Sequence, residues 1–266
     1  MGGKSTVEKL EHLRNIRFAV RKRFTAAKKA RMSDVERICG ASIGRIDSQR
    51  LISFVGFFNE FEDVYGKDCV YIHLFDEKDA DREWMANRAI RCGALAVISN
   101  YQIKDLPCVI VDDVWRVLRD ISRYYLEDYT GGRTVVAGSI GKTTTKEMVE
   151  CVLSRAFKTY CTPNNGNVLS YLAFEIQHMP LKVEQFVQEV DESYPHNASD
   201  CSFVLRPDIT IITTIDNSHV GALGGEKAVE NAITSVTDYM PESSTVIISA
   251  DDPKSVQVAF RQKVIS

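Results

Sequence analysis

The stretch Thr134-Val-Val-Ala137-Gly138-Ser139-Ile140-Gly141-Lys142-Thr143-Thr144-Thr145-Lys146-Glu147 decides how this chain folds. An apolar, β-like run feeds a glycine turn, and the turn opens a helix-forming segment that continues to Ala156. A phosphate-binding loop is built this way. Its glycines let backbone N–H groups approach a polyphosphate, a helix N-terminus faces the anion, and Lys142 reaches the terminal phosphates. The Thr143 hydroxyl stands where such loops hold Mg²⁺. The spacing is not the commonest one, which wants a glycine five residues before Gly141. Val136 stands there, and the glycine comes three residues before instead, with a triple threonine after the lysine. A bare Gly-x-x-Gly-Lys-Thr can also be a plain helix-opening turn, so its surroundings have to decide.

Those surroundings alternate strand and helix. Strands are expected at 133–137, 185–190, 209–215 and 245–249, and helices at 143–156, 168–178 and 226–239. Short apolar strands between helices predict a parallel sheet, whose ligands bind beyond the carboxyl ends of the strands. The glycine loop, Glu189 and the turn Asp216–His219 all fall at such ends. Upstream, strands at 69–74, 94–98 and 108–111 alternate with helices at 81–92 and 114–125, and a short helix and turn is expected over 34–48. Tyr129-Thr-Gly-Gly132 punctuates the boundary. The fold class is therefore α/β, with a basic helical arm over 1–40, a small α/β domain over 41–128 and a mostly parallel P-loop-type domain over 129–266.

Composition excludes some classes of function. The chain has 266 residues, 44% of them hydrophobic, which suffices for two cores. No apolar run approaches the length of a membrane-spanning helix. Seven scattered cysteines, none in a Cys-x-x-Cys pair, suit the reduced thiols of a cytoplasmic protein better than a disulfide framework or a zinc site. The net charge of −3 hides an asymmetry, because residues 1–32 hold ten Lys/Arg against two Glu. The segment Arg21–Arg31 suits a solvated or partner-packed helix better than a nucleic-acid or anionic-membrane contact.

Taken in order, these pieces resemble the Mur ligase family, in particular its D-alanyl-D-alanine-adding branch. The likeness runs from about Ile46 to Pro253. Gly138–Glu147 is similar to that family's ATP loop almost letter for letter, and Thr162-Pro-Asn-Asn165-Gly-Asn167 resembles its Thr-x-x-Asn-x-Asn segment. Glu189 matches a metal-binding Glu that ends a central strand. Arg206–Ile215 followed by His219 resembles the Pro-Asp strand with its metal-site His, and Ala250-Asp-Asp-Pro253 a turn that follows. Asp47-Ser48-Gln-Arg50 is a looser likeness to a motif near the family's UDP-sugar site.

The resemblance implies an ATP- and Mg²⁺-dependent ligase acting on a peptidoglycan-precursor-like substrate. A carboxylate would attack the γ-phosphate of ATP, and an amine would displace phosphate from the resulting acyl phosphate. Lys142, Glu189 and His219 are its expected catalytic residues, and Thr143, Glu189 and His219 its expected metal ligands. Gly138, Ser139, Ile140, Gly141, Lys142, Thr143 and Thr144 would bind the nucleotide, and Ser48, Asn165 and Asn167 the UDP-sugar-peptide substrate.

Three departures accompany this likeness. The family lysine fourteen residues after the metal-site His, whose carbamate bridges two metals, is Ile233 here. The chain stops at Ser266, before the family's C-terminal domain, which a separate partner chain would then have to supply. The family's Asp-Gly-His loop reads Asp79-Ala-Asp81, and the segment after Asn167 reads Val-Leu-Ser-Tyr171. The alternatives to a ligase are a catalytically degenerate nucleotide-binding sensor or scaffold and a truncated gene product.

Overall fold

The computed structural model describes residues 28–43, 46–52, 54–56, 68–163, 166–180, 182–194, 196–216, 220–259 and 264–265. Most of the basic arm and the candidate residues Asn165 and His219 lie outside the described residues. Two compact units emerge, one ending at Ile121 and including Gln177–Pro180, the other starting at Ser122 and continuing after Pro180.

In the first unit, β1 (Ala30–Arg31), α1 (Met32–Cys39) and β2 (Leu51–Ile52) come first, and the two strands pair antiparallel. The basic segment expected to be helical through Arg31 thus ends as strand. Helix α1 buries Met32, Val35 and Cys39, one face at helical spacing, and stops at Gly40, whose φ of 68° is the left-handed conformation that ends helices. Next come β3 (Phe54–Gly56), β4 (Cys69–Ile72), α2 (Glu83–Arg91), β5 (Ala94–Ser99), β6 (Cys108–Ile110) and α3 (Val114–Leu126). Strands β3 to β6 form a parallel sheet in chain order. All four residues of β4 are buried, as a strand covered on both faces requires.

The second unit comprises β7 (Gly132–Ala137), α4 (Lys142–Leu153), β8 (Thr159–Cys161), α5 (Leu169–His178), β9 (Gln185–Glu189), α6 (Asn197–Leu205) and β10 (Ile209–Ile212). It continues with α7 (Val220–Leu223), α8 (Glu226–Thr234), β11 (Thr245–Ile248), α9 (Pro253–Ala259) and β12 (Val264–Ile265). Its six strands lie in the order β12-β11-β10-β7-β9-β8, every pair parallel. Strand β7 occupies the middle, with Val135, Val136 and Ala137 buried. The chain leaves β7 for the edge strand β8, returns to β9 beside β7, then crosses to β10 on the other side. The strand order therefore reverses around β7, where open parallel sheets place their ligands.

Several expected boundaries shift. Helix α8 ends at Thr234 and a 3₁₀ turn covers Ser235–Thr237, and β10 leaves the ladder after Ile212. Beyond that point Thr213–Asp216 hold the glycine loop instead of a neighbouring strand. All seven cysteines are free, and burial pushes the Cys39 and Cys69 thiols up to about 12. Among the described residues no helix is long and apolar enough to cross a membrane.

Asp252 ties this extension of β10 to α9. Its carboxylate accepts hydrogen bonds from the Ile215 amide at 2.8 Å, the Ser255 hydroxyl at 2.5 Å and the Lys254 amide at 3.1 Å. Asp252 precedes Pro253, the first residue of α9, so it sits where an acidic cap and a following proline both favour helix initiation. Burial alone would raise its pKa, but the bonds from Ser255, Ile215 and Lys254 outweigh that and lower it. A carboxyl whose pKa is lower folded than unfolded stabilises the fold above its unfolded value, and this contribution is lost as pH falls through the depressed folded value. Asp252→Ala is therefore expected to cost about 1–2 kcal/mol at neutral pH. In chemical denaturation followed against pH, the gap between the two proteins should narrow under acid conditions.

Candidate functional site

The glycine loop links the C-terminal end of β7 to the first turn of α4. Gly138 and Gly141 have φ of 125° and 85°, which side chains rarely tolerate. At Gly138 space is a second constraint, since a Cβ there would lie 2.3 Å from Thr213 Oγ1 and 2.9 Å from the Thr214 carbonyl. The tight approach is used. The Ser139 amide donates to the Thr214 carbonyl at 2.7 Å, and the Thr213 hydroxyl donates to the Ile140 carbonyl at 2.7 Å. On the same side, Ser139 Oγ accepts from the Asp216 amide at 3.0 Å.

Gly141 caps α4 with no side-chain hydrogen bond, so the first-turn amides that no intrahelical carbonyl can reach are left to a ligand or to solvent. They border a cavity of about 310 Å³ lined by Ser139, Gly141, Lys142, Thr143, Thr144 and Glu189. Unsatisfied amides and the positive end of the helix dipole favour an anion here.

Acidic groups come from the other neighbour, β9. Register pairs Val136 with Glu189, which sets the Glu189 carboxylate beside the start of α4. One Glu189 oxygen accepts from the Thr143 hydroxyl at 2.7 Å, the other from the Asn167 side-chain amide at 3.1 Å. Lys142 is buried and donates to the Gly138 carbonyl at 2.5 Å. It also forms a 2.9 Å ion pair with Glu192, which is 2% exposed. Further along α4, buried Lys146 donates to the Thr162 carbonyl at 2.9 Å.

The structure thus gathers Gly138, Ser139, Ile140, Gly141, Lys142, Thr143, Thr144, Glu189 and Asn167 around one strand end. Ser48 belongs to the other unit, where its carbonyl accepts from the Ser33 amide at 2.8 Å. Asn165 and His219 fall outside the described residues. Ile233, where the resemblance implies a lysine, is fully buried in α8. Among the described residues no three His, Cys, Asp or Glu are grouped as a metal cluster. Sequence reading missed Glu192. The available signal was a second acidic residue three positions beyond Glu189, past the end of the same central strand.

This loop, at the reversal point of a parallel sheet flanked by helices, defines a P-loop-type α/β domain. Residues 136–265 match the family model of the Mur ligase middle domain, and over this region the chain belongs to the Mur ligase family. One relative is the UDP-N-acetylmuramoyl-tripeptide–D-alanyl-D-alanine ligase of Bacillus subtilis (strain 168), 29% identical over 178 residues. That alignment covers 65% of this chain and 39% of the relative. The enzyme of the same name from Borreliella burgdorferi is 35% identical over 114 residues, 43% of this chain and 25% of its own length. The chain therefore spans well under half the length of these two relatives.

Among solved structures, MurF from Acinetobacter baumannii superposes with a TM-score of 0.77 at 18% identity, covering 91% of this chain and 54% of its own. MurF ligase from Thermotoga maritima, crystallised in complex with ADP, gives 0.68 at 21% identity, over 79% of this chain and 49% of its own. These two likenesses establish a shared fold.

Gly138 and Gly141 are distinguishable by substitution. Gly138→Ala meets a backbone carbonyl that cannot move aside, whereas a Cβ at Gly141 meets nothing within 4 Å. Gly138→Ala is expected to destabilise by roughly 2 kcal/mol or more, and Gly141→Ala by about 1 kcal/mol through backbone strain alone. Thermal melts of the two variants side by side check the order.

Proposed function

We propose that the second unit binds ATP as its Mg²⁺ complex and carries out the carboxylate-activating step of a Mur-type ligase. The observation that supports this best is the pairing of the Thr143 hydroxyl with Glu189 at 2.7 Å, at the mouth of an anion-binding helix N-terminus. A hydroxyl and a carboxylate side by side are hard oxygen donors of the kind Mg²⁺ takes next to a phosphate chain. Bound there, the ion would neutralise phosphate charge, and His219 would help hold a second ion that orients the attacking carboxylate. Amides of the loop and the first turn of α4 hold phosphate oxygens, and Lys142 stabilises the charge spreading over the transferring phosphoryl group. Asn167 orients Glu189 through its 3.1 Å hydrogen bond.

On this reading Ser48, Asn165 and Asn167 contact a UDP-muramoyl-peptide-like carboxylate donor in the cytoplasm. The amine acceptor is held by a C-terminal domain, on this chain's continuation or on a partner.

A second reading, a nucleotide-binding module without ligase chemistry, draws on Ile233. An apolar side chain fully buried in α8 offers no ligand to a second metal ion. Both readings require the nucleotide site, so that is the first thing to test. In isothermal titration calorimetry with Mg²⁺ and ATP, the wild-type chain should bind and Lys142→Ala should lose at least about tenfold in affinity, the equivalent of one charge-assisted hydrogen bond. Equal affinity of the two proteins would refute the P-loop reading. ADP release dependent on an added UDP-muramoyl peptide would separate the ligase from the module.

A further inference from the structure

The ammonium of Lys142 has three donors, and three oxygens lie around it. They are the Gly138 carbonyl at 2.5 Å, the Ser139 carbonyl at 3.5 Å and Glu192 Oε2 at 2.9 Å. Two of these belong to the loop itself. The third is an anion, and it occupies the lysine as a phosphate oxygen would. Glu192 is 2% exposed, and its other oxygen, Oε1, is buried with no hydrogen-bond partner. Lys142 is thus the cation that compensates a desolvated carboxylate, and drawing the ammonium away would leave that charge buried and unpaired. Lys142 pairs with Glu192, and a second carboxylate, Glu189, lines the same cavity as Lys142. Helix-terminus amides attract a polyphosphate, but Lys142, Glu189 and Glu192 together carry a net negative charge.

Resting on the nucleotide-site reading above, we infer that Glu192 makes nucleotide entry conditional on a divalent cation. A bare polyphosphate has to compete with the Glu192 carboxylate for Lys142 and is repelled by both acidic groups. A polyphosphate that arrives with its cation brings the positive charge that offsets them. Glu192 therefore acts as a competing internal anion. It sets how far the cation raises affinity and takes no part in transferring the phosphoryl group.

The test is ATP binding by calorimetry in EDTA and in Mg²⁺, for the wild-type chain, Glu192→Gln and Glu192→Ala, with Lys142→Ala as the control. Circular dichroism and melting establish that each variant is folded. Removing the Glu192 charge is expected to tighten ATP binding in EDTA by about tenfold or more, and to shrink the gain from Mg²⁺ by a similar factor. Binding of bare ATP by a Glu192 variant where the wild type shows none would support the inference equally.

A gain from Mg²⁺ that is the same in wild type and both variants would overturn the inference. If Lys142→Ala had meanwhile lost binding, the nucleotide site itself would stand. No binding by any of the proteins in either condition would overturn both. The wild-type chain alone gives an independent check with inorganic tripolyphosphate. Equal affinity for the bare anion and its Mg²⁺ complex would rule out a cation-conditional site even if neither Glu192 variant folds.

Discussion

No side chain fits at position 138, and much of the second unit is organised around that fact. Strand β7 runs through the middle of the sheet, and its last residue delivers the chain into a turn where an added Cβ would lie 2.3 Å from Thr213 Oγ1. Because Gly138 is bare, the backbone beyond β10 packs directly on the loop. Its carbonyls and hydroxyls then fix Ser139 and Ile140. The same backbone is held from behind by Asp252, which accepts from the Ile215 amide and caps α9. A line of contacts therefore runs from the glycine loop through Thr213–Ile215 to α9. Each link depends on a small or polar residue in one place: Gly138, Thr213, Asp252.

Helix α4 shows what such a loop demands of the segment behind it. An ordinary surface helix buries its apolar stripe. Here Lys142 and Lys146 are buried, while Met148 and Val152 are 64% and 70% exposed. Two lysines inside a parallel α/β unit require acceptors, and these come from the ends of neighbouring segments: the Gly138 and Thr162 carbonyls and the Glu192 carboxylate. The interior at this strand end is polar by construction. Charge balance around Lys142 is consequently a property of three segments, β7, α4 and the residues after β9, and no one of them sets it.

This division explains what was legible in the sequence. Buried parallel strands are short apolar runs, so β4, β5, β7, β9, β10 and β11 could be read directly, and the glycine loop between β7 and α4 gave the site its position. Helix α6 could not be read that way. Asn197-Ala-Ser-Asp-Cys-Ser202 holds mostly weak helix formers, and the helix exists because Ala198, Cys201, Val204 and Leu205 are buried. Strand β8, Thr-Tyr-Cys, holds no run of aliphatic residues, unlike the equally short β6. The ends of α8 and β10 were overrun for the opposite reason, since helix and strand propensity continue past the point where tertiary contacts stop them. Glu192 illustrates a deeper limit. Composition shows Glu189, Asp191 and Glu192 together, but only packing decides which carboxylate turns inward onto Lys142.

Glu192 and Ile233 also bear on each other. The family resemblance implies an anionic carbamate at position 233, on the helix after the metal-site histidine. In this chain that position is apolar and fully buried, with Val229 on the same helix. A carboxylate, Glu192, stands three residues past the end of β9, against the loop lysine. On the proposed reading, position 233 supplies no anionic charge to hold a second cation, and Glu192 supplies anionic charge that neutralises the loop's own cation. These two features act in the same direction. Both move the requirement for a divalent cation away from positioning the attacking carboxylate and towards admitting the nucleotide. A site altered in this way keeps the electrostatics of binding while weakening those of acyl transfer. On that reading Glu192 bears on nucleotide entry and Ile233 on the second cation, so the two requirements can be varied separately.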